Sequence, residues 1–405
     1  MRLYFQHPAL DGQLLRLMGH IYYGNADLGE CLTTAAAIDE GNLDSWHHEW
    51  SLLGDRIMEE GKKSEEGKSE GNGQSISARE SYLRASNYYR AALAFLYQTP
   101  VEERLLETYH KHVAAFAKAA RLFSPAFEEI SIPYKETHLP GYFYKVDDSG
   151  QPRPTIIISS GYDSTHQEAF FHLVPGALRR GYNVLAFDGP GQGALLLLEG
   201  IRMRHEWEKV ITPVVDYLYA RKEVEKEKIA LYGPSWGGML APRAAAYEKR
   251  INALIVNPGQ YDALMVFRQA IDGSVQQERE IAESIDALLQ AAMSDRFVAA
   301  KFKAKMLVHG VESPHQLFEE WQKYNLSEAA PLIECPTLVA YSENESLSPG
   351  QAELFFDTLR CPKEYHLFTN ASGAGEHCAA GASGLMASTF FDWLDDCFSY
   401  QKTTL

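Results

Sequence analysis

The 405-residue chain contains no run of about 18 consecutive apolar residues, the length that crosses a bilayer, so no membrane span is expected. Cysteine is scarce. The five present, Cys31, Cys335, Cys361, Cys378 and Cys397, are odd in number, scattered and without C-x-x-C spacing. That pattern predicts neither a zinc site nor a disulfide framework, and it fits reduced thiols in a cytoplasmic protein. Basic residues are outnumbered, with 38 Lys and Arg against 54 Asp and Glu and a net charge of -16. No basic patch of the kind that marks a nucleic-acid binder stands out. The opening residues mix Arg2, Gln6, His7, Asp11 and Arg16 among apolar ones, which is not the pattern of a signal peptide. Internal repeats are absent. What is there is 45% hydrophobic, enough for one large domain with accessory elements.

Residues 1–127 read as helical. Tyr82, Ala85, Tyr89, Ala92, Leu93 and Leu96 recur at three- and four-residue spacing over 77–96, and residues 101–123 repeat the pattern up to Pro125. Between these helices and the chain start, residues 59–77 are rich in Gly, Lys, Glu and Ser and predict a mobile surface loop. After Phe127 the texture changes. Residues 128–134 and 139–146 suggest a hairpin. Apolar runs at 155–160, 183–188, 228–232, 253–257, 336–341 and 364–368 read as strands, with helices near 168–180, 207–221 and 381–398. Strands alternating with helices imply a mostly parallel, doubly wound α/β sheet. The alternation stops over 261–325, where helices are expected at 281–293 and 298–307 as a lid. The organisation is therefore 1–127 helical domain, 128–260 first part of the core, 261–325 lid and 326–405 second part of the core.

Gly233-Pro234-Ser235-Trp236-Gly237 carries the chemistry. It follows the strand at 228–232 and precedes a helix. Strand, G-x-S-x-G and helix make up the nucleophile elbow of the α/β-hydrolases, with small residues where strand and helix nearly touch. Ser235 is then the nucleophile, at a helix N-terminus that favours an oxyanion. A serine hydroxyl needs a base, and the base needs an acid to fix its tautomer. The chain order in this fold is Ser, acid, His. His377, in a glycine-rich segment after the last strand, is the expected base. The acid belongs after the 336–341 strand. Glu345, ahead of Pro349, fits the usual register, and Glu343 is the alternative. The backbone N–H of Trp236 is one expected oxyanion donor. The other comes from the 161–165 loop, from Tyr162 first and Asp163 second. Asp188-Gly189-Pro190-Gly191-Gln192-Gly193 lacks the Lys-Ser/Thr of a P-loop and reads as a tight turn. No metal site and no cofactor are expected.

Further strings add to the elbow: Tyr23-Gly24-Asn25-Ala26-Asp27, Trp46-His47-His48-Glu49-Trp50, Asn87-Tyr88-Tyr89-Arg90, Leu139-Pro140-Gly141-Tyr142 and the glycine-rich run at 188–193. Together they resemble the cap-bearing α/β-hydrolases with an N-terminal helical domain. That group includes the C–C hydrolase acting on dihydroxypseudooxynicotine, fungal polyketide-pathway hydrolases and peptidase-like proteins. The resemblance spans nearly the whole chain. It implies a serine hydrolase that cleaves an ester, a lactone or a ketone-adjacent C–C bond of a small or medium, partly apolar molecule. The alternative it leaves open is a biosynthetic enzyme using the same triad for condensation, cyclisation or acyl release of a polyketide-like intermediate. By the same resemblance Glu168 matches a functional glutamate. Its other reading is a carboxylate favoured at a helix N-terminus. Asp163, Asn87 and Tyr88 are candidate substrate-binding residues, with Tyr89 beside them. The partner is a small molecule, neither nucleic acid nor membrane, and a homodimer stays open.

Overall fold

The computed structural model describes residues 2–67, 73–265, 290–291 and 293–400. The chain opens with helices α1 (Pro8–Gly19), α2 (Leu28–Ala37), α3 (Leu43–Glu66), α4 (Gly73–Ala92) and α5 (Glu103–Ala120). Their starts follow local chemistry. Pro8 opens α1, where a missing N–H costs nothing, while Asp27 and Asn42 cap α2 and α3 through side-chain oxygens. Asp11 accepts the N–H groups of Leu3, Tyr4 and Phe5 at 2.7, 2.8 and 2.9 Å, which folds the chain start back onto α1.

The loop expected over residues 59–77 is corrected to helix at both ends, and residues 68–72 of that span lie outside the described residues. α3 runs through Glu66, and α4 begins at Gly73. The polar composition belongs to the solvated face of a helix with a narrow buried stripe of Trp46, Trp50, Leu53, Gly54, Ile57 and Gly61. The glycines in that stripe have a packing reason. A Cβ at Gly54 would stand 2.6 Å from the Tyr89 ring, and one at Gly61 would stand 2.7 Å from the Tyr82 ring. Ion pairs such as Arg56–Glu60 at 2.9 Å lace the outer face.

Strands β1 (Glu128–Tyr134), β2 (Thr137–Tyr144), β3 (Arg153–Ile158), β4 (Asn183–Phe187), β5 (Val224–Pro234), β6 (Ala253–Asn257), β7 (Thr337–Ser342) and β8 (Lys363–Phe368) form one sheet in the order β1-β2-β4-β3-β5-β6-β7-β8. β2 is antiparallel to β1 and β4, and the remaining pairs are parallel. Alternation along the strands divides the core. Ile157, Leu231, Val256 and Val339 pack on one face, and Ile156, Tyr232, Ile255 and Leu338 on the other.

Helices α6 (His166–His172), α7 (Val174–Leu178), α8 (Gly193–Leu197), α9 (Glu208–Tyr219) and α10 (Gly237–Tyr247) come between the strands. The single helix expected over 168–180 is two, broken at Leu173, whose φ of -136° precedes Pro175. Beyond β6 come α11 (Arg296–His309), α12 (Pro314–Trp321), α13 (Gln351–Thr358) and α14 (Ser383–Tyr400). α13 joins β7 to β8 and was not anticipated, because its buried stripe is short: Gln351, Ala352 and Phe355. The helix expected at 281–293 falls, except for residues 290, 291 and 293, outside the described residues.

The two ends of the 261–325 insertion meet in an isolated antiparallel bridge, Asp262 with Asn325. Leu326 N–H donates to Tyr261 O at 2.8 Å, and Ala263 N–H donates to Tyr324 O at 3.0 Å. The insertion therefore leaves and rejoins the core at one place. Its helix α11 reaches the N-terminal helices: Phe297 joins the cluster formed by Leu10, Leu14, Trp46 and Trp50. The His7 ring stacks on Phe297 at 3.8 Å, and His7 Nε2 lies 3.3 Å from Asp295. Removing residues 1–125 exposes Phe297 together with Tyr142, Phe170 and Phe171, which Phe116 of α5 covers. The expected outcome is an aggregating or dye-binding protein without activity. A soluble, active truncate, measured by gel filtration and ester hydrolysis, would contradict this.

Candidate active site

Ser235 sits at the junction of β5 and α10 with a φ of 54°, a value that non-glycine residues seldom adopt. Its surroundings impose that conformation. The Ser235 N–H donates to Asn257 O at 2.8 Å, and Ser235 O accepts from Gly238 N–H and Gln260 Nε2, both at 2.8 Å. The flanking glycines leave no room for a side chain. A Cβ at Gly233 or Gly237 would fall 2.1 Å from a carbonyl oxygen, and one at Gly238 would fall 2.0 Å from Pro258 O.

The structure brings Ser235, His377 and Glu345 together. His377 Nε2 is 3.0 Å from Ser235 Oγ, and His377 Nδ1 is 2.5 Å from Glu345 Oε2. Glu345 is sealed from solvent, and its other oxygen accepts the N–H groups of Leu347 at 2.7 Å and Ser348 at 3.3 Å. Burial pushes the Glu345 carboxyl up, but the facing His377 and the backbone N–H groups outweigh it and hold the group below its ordinary value. For His377, burial disfavours the charged ring. The Cys378 sulfur and the Glu345 carboxylate more than reverse this, and the ring lies well above its ordinary value. In the neutral ring, which is the form that acts as base, the ionised Glu345 takes Nδ1–H and the Nε2 lone pair faces the serine hydroxyl. Glu343 goes elsewhere: it is exposed, and its Oε2 accepts the Asn370 N–H at 2.6 Å.

His377 is held by a turn that the sequence does not advertise. Cys378 and Ala379 both take left-handed conformations, with φ of 58° and 54°, although neither is glycine. Cys378 Sγ donates to Asn257 O at 3.1 Å, and Ala379 N–H donates to Ser342 Oγ at 3.2 Å. Asn257 O thus ties the serine turn and the histidine turn to the end of β6.

Trp236 stands at the N-terminus of α10, where helix N–H groups lack intrahelical partners. Gly161 lies against it: a Cβ there would be 3.0 Å from Ser235 Cβ and 3.1 Å from Trp236 N. The next residue, Tyr162, stacks on the Trp236 ring at 4.5 Å. Its hydroxyl meets Trp321 Nε1–H at 3.0 Å and His309 Nε2 at 2.9 Å. Burial raises the Tyr162 hydroxyl, and burial plus the nearby Lys305 and Lys323 lowers His309 to about 3. The phenol therefore keeps its proton and donates it to a neutral imidazole, which fastens the loop to α11 and α12.

The glycine-rich run at 188–193 does more than turn. Gln192 Nε2 donates to Ser160 O at 2.6 Å and Gly161 O at 3.1 Å, while its Oε1 accepts Gly189 N–H at 2.9 Å. Asp188 Oδ1 accepts the His166 N–H at 2.8 Å. Gly193 must be glycine, since a Cβ would fall 1.9 Å from Asp188 Oδ2. Sequence reasoning missed this clamp. The available signal was a glutamine among glycines directly after a buried strand.

The remaining candidates lie on the N-terminal side of the loop. Glu168 is in the first turn of α6, and its carboxylate is held by Arg16 at 2.6 and 2.8 Å and by Arg90 at 3.3 Å. Burial would raise it, but the two guanidiniums hold it far below the carboxylate range, so it has no proton to give near neutrality. Asp163 Oδ2 accepts from Arg16 Nη1 at 2.8 Å. Asn87 is fully buried, with Oδ1 3.2 Å from His20 Nδ1 and Nδ2 donating to Asn25 O at 2.8 Å. Tyr88 is not brought to Ser235. Its hydroxyl donates to Glu30 at 2.5 Å inside the helical domain, where its ring stacks on Trp50. Tyr89 likewise packs on α3 and donates to Asp55 at 2.7 Å. Helical spacing placed these tyrosines in a core, and the core is that of the N-terminal helices.

Among the described residues no cluster of His, Cys, Asp and Glu is arranged to hold a metal ion, and no helix is long and apolar enough to cross a membrane. Replacing Gln192 by Leu strands three buried backbone groups. Each costs about 1–3 kcal/mol, and the loss falls on the loop beside Ser235. The expected result is a lower melting temperature and a larger fall in kcat than rise in KM. An unchanged kcat would contradict the clamp.

Comparisons with known proteins follow this geometry. Residues 150–372 match the family described as "Serine aminopeptidase, S33". "Hydrolase LUC6" of a Fusarium species is 31% identical over 434 aligned positions, covering 100% of both chains. The "20-hydroxy-prefusarin hydrolase FUS2" of Gibberella moniliformis is 30% identical, again over 100% of both. The crystal structure of the 2,6-dihydroxy-pseudo-oxynicotine hydrolase superposes with a TM-score of 0.74 at 20% identity, covering 94% of this chain and 95% of that one, which speaks to the fold. On the family match and the whole-length identity, the chain belongs to the serine aminopeptidase S33 family of α/β-hydrolases and is a hydrolase.

Proposed function

We propose that the protein is a serine hydrolase of a small or medium, partly apolar carbonyl compound, working through Ser235, His377 and Glu345. The observation that carries this is the unbroken chain from Ser235 Oγ to His377 Nε2 at 3.0 Å and from His377 Nδ1 to Glu345 at 2.5 Å. Ser235 Oγ attacks the carbonyl carbon while its proton passes to His377 Nε2. The carbonyl electron pair moves to oxygen, which sits against the N–H groups of Trp236 and Tyr162. The oxyanion collapses, the bond to the leaving group breaks, and His377 returns its proton to that group. Water then attacks the acyl-serine, again giving its proton to His377, and the acid is released. Glu345 keeps the ring in one tautomer and stabilises the imidazolium.

Covering helices on two sides of the Tyr162 loop favour an enclosed small molecule over a long peptide. Whole-length similarity to fungal hydrolases, one named for 20-hydroxy-prefusarin, supports a substrate of secondary metabolism. The bond is an ester, a lactone or a C–C bond beside a ketone, since each offers the same electrophilic carbon.

Ser235→Ala removes the nucleophile at a turn apex. The expected loss of turnover is on the order of a thousandfold or more, with an unchanged melting temperature. Near-normal activity on esters, lactones and β-diketones would contradict the covalent route. Product formed without water uptake would move the reading to condensation or cyclisation. Glu345→Gln keeps the volume but removes the charge that raises His377. Turnover falls severely, and the acidic limb of the pH–rate profile moves to lower pH. Glu343→Gln leaves both within about twofold, since its carboxylate meets the exposed backbone N–H of Asn370 and not His377. A severe Glu343→Gln effect with a mild Glu345→Gln effect would reassign the acid.

A further inference from the structure

Four basic side chains converge on the loop beside Ser235 in a protein whose net charge is -16. Arg16 of α1 and Arg90 of α4 come from the N-terminal helices, and Lys301 and Lys305 lie one turn apart on α11. Two carboxylates answer them, Asp163 and Glu168, and both are held by Arg16. Asp163 also acts on Lys301 and Lys305 through space. Asp295, which acts on Lys301 too, is engaged in capping α11 and in pairing with His7. The histidines that face the cluster, His20, His112, His172 and His309, are driven down by burial first, to about 3, 4, 4 and 3, so they stay neutral. Among the described residues the cluster therefore carries an excess of two positive charges over Asp163 and Glu168.

The excess is held where it is costly. Arg90 is 3% exposed, and its Nη2 has no hydrogen-bond partner among the described residues. Lys305 Nζ stands among rings, 5.1 Å from Trp321, 5.5 Å from Phe302 and 5.9 Å from Tyr162, with no carboxylate partner within salt-bridge distance among the described residues. Burial, then repulsion from Lys301, pushes Lys305 down to about 8 against the pull of Asp163. A half-buried cation set among aromatic rings in this position is stabilised by an anion that arrives with a ligand. The position is also the right one. Tyr162, under Lys305, stacks on Trp236, the residue after Ser235, and Gly161 touches Ser235 itself.

We propose that Lys305 and Lys301, backed by Arg16 and Arg90, form a receptor for a carboxylate or enolate carried by the substrate, so that acids and acidic 1,3-dicarbonyl compounds are preferred over neutral carbonyl compounds of the same shape. The proposal deepens the reading of the Ser235 site and rests on it. The anionic group docks against α11 while the scissile carbonyl lies over Ser235. The aromatic rings around Lys305 keep water away and strengthen the charge contact.

The test separates binding from turnover. Calorimetry on the full-length Ser235→Ala protein compares short ω-keto acids with methyl ketones of matching length. The keto acids are expected to bind about tenfold tighter or more, at one preferred chain length. Adding Lys305→Met removes that preference, and Lys305→Arg, which keeps the charge, retains it and controls for folding. In the wild type, p-nitrophenyl monoesters of succinate and glutarate are compared with butyrate and valerate esters. The anionic-to-neutral ratio of kcat/KM follows the binding preference and drops about tenfold in Lys305→Met. Equal binding of acids and ketones by Ser235→Ala, or a preference that survives Lys305→Met, overturns the receptor. A binding preference with Ser235→Ala still hydrolysing the esters at the wild-type rate supports the receptor and overturns the nucleophile. An enolate is distinguished from a carboxylate by adding an acidic β-diketone to the calorimetric series.

Discussion

The carboxylate of Glu168 fastens three parts of the molecule at one point. It belongs to α6, the helix that follows the loop beside Ser235, and it receives Arg16 from α1 and Arg90 from α4. An ion pair this deeply buried is weak evidence of stability by itself, because desolvation offsets most of the Coulomb gain. Its geometric effect is large. Removing either partner strands a buried charge at a cost of about 3–5 kcal/mol. The N-terminal helices therefore cannot drift from the loop without a heavy penalty. They belong to the site as much as the sheet does. The fold-level similarity to a hydrolase of the same overall length fits this, since the helices are matched along with the core.

From that anchor the rest of the site follows in order. Arg16 also takes Asp163, which fixes the loop one residue past Tyr162. Tyr162 is pinned above by His309 and Trp321 and stacked below on Trp236. Gln192 holds the carbonyls on the other side of the loop, at Ser160 and Gly161. Such redundancy is what an oxyanion site requires. Its donors must already point at the developing charge, because reorganising them during the reaction would forfeit the advantage. The strained φ of Ser235 is the same principle applied to the nucleophile, with Asn257 O and Gln260 supplying the restraint.

The sheet and the Ser235 elbow were legible in the sequence because each is governed by short-range rules. Buried parallel strands demand continuous apolar runs, and the elbow demands glycine where a Cβ would meet a carbonyl. The choice of Glu345 over Glu343 was legible from its register ahead of Pro349. The structure adds the reason: two residues along a loop after a strand, one side chain faces the histidine turn and the other faces Asn370. What the sequence concealed was set by contacts distant along the chain. The charged stretch ending α3 looked like a loop because its one buried residue from 59 to 67 is Gly61, packed against the Tyr82 ring. Tyr88 looked available to a ligand until Glu30 and Trp50 claimed it. The Gln192 clamp, the Arg16–Glu168 pair and the left-handed turn at Cys378 all join segments far apart in number, and no local pattern announces them.

The distribution of charge gives the site its character. A protein with net charge -16 repels an anionic substrate at long range, yet among the described residues around the Tyr162 loop Arg16, Arg90, Lys301 and Lys305 outnumber Asp163 and Glu168. At physiological ionic strength the long-range term is screened within about 8 Å, so the acidic surface scarcely opposes entry. Inside the roof the dielectric is lower and screening fails, and the local charges decide. Lys305 is the half-buried end of that cluster and Arg90 the buried end, with Asp163 acting on both from the loop beside Ser235. The same residues that position the Tyr162 loop thus set the field felt by whatever lies on it, and in the proposed reading positioning and selectivity come from one network.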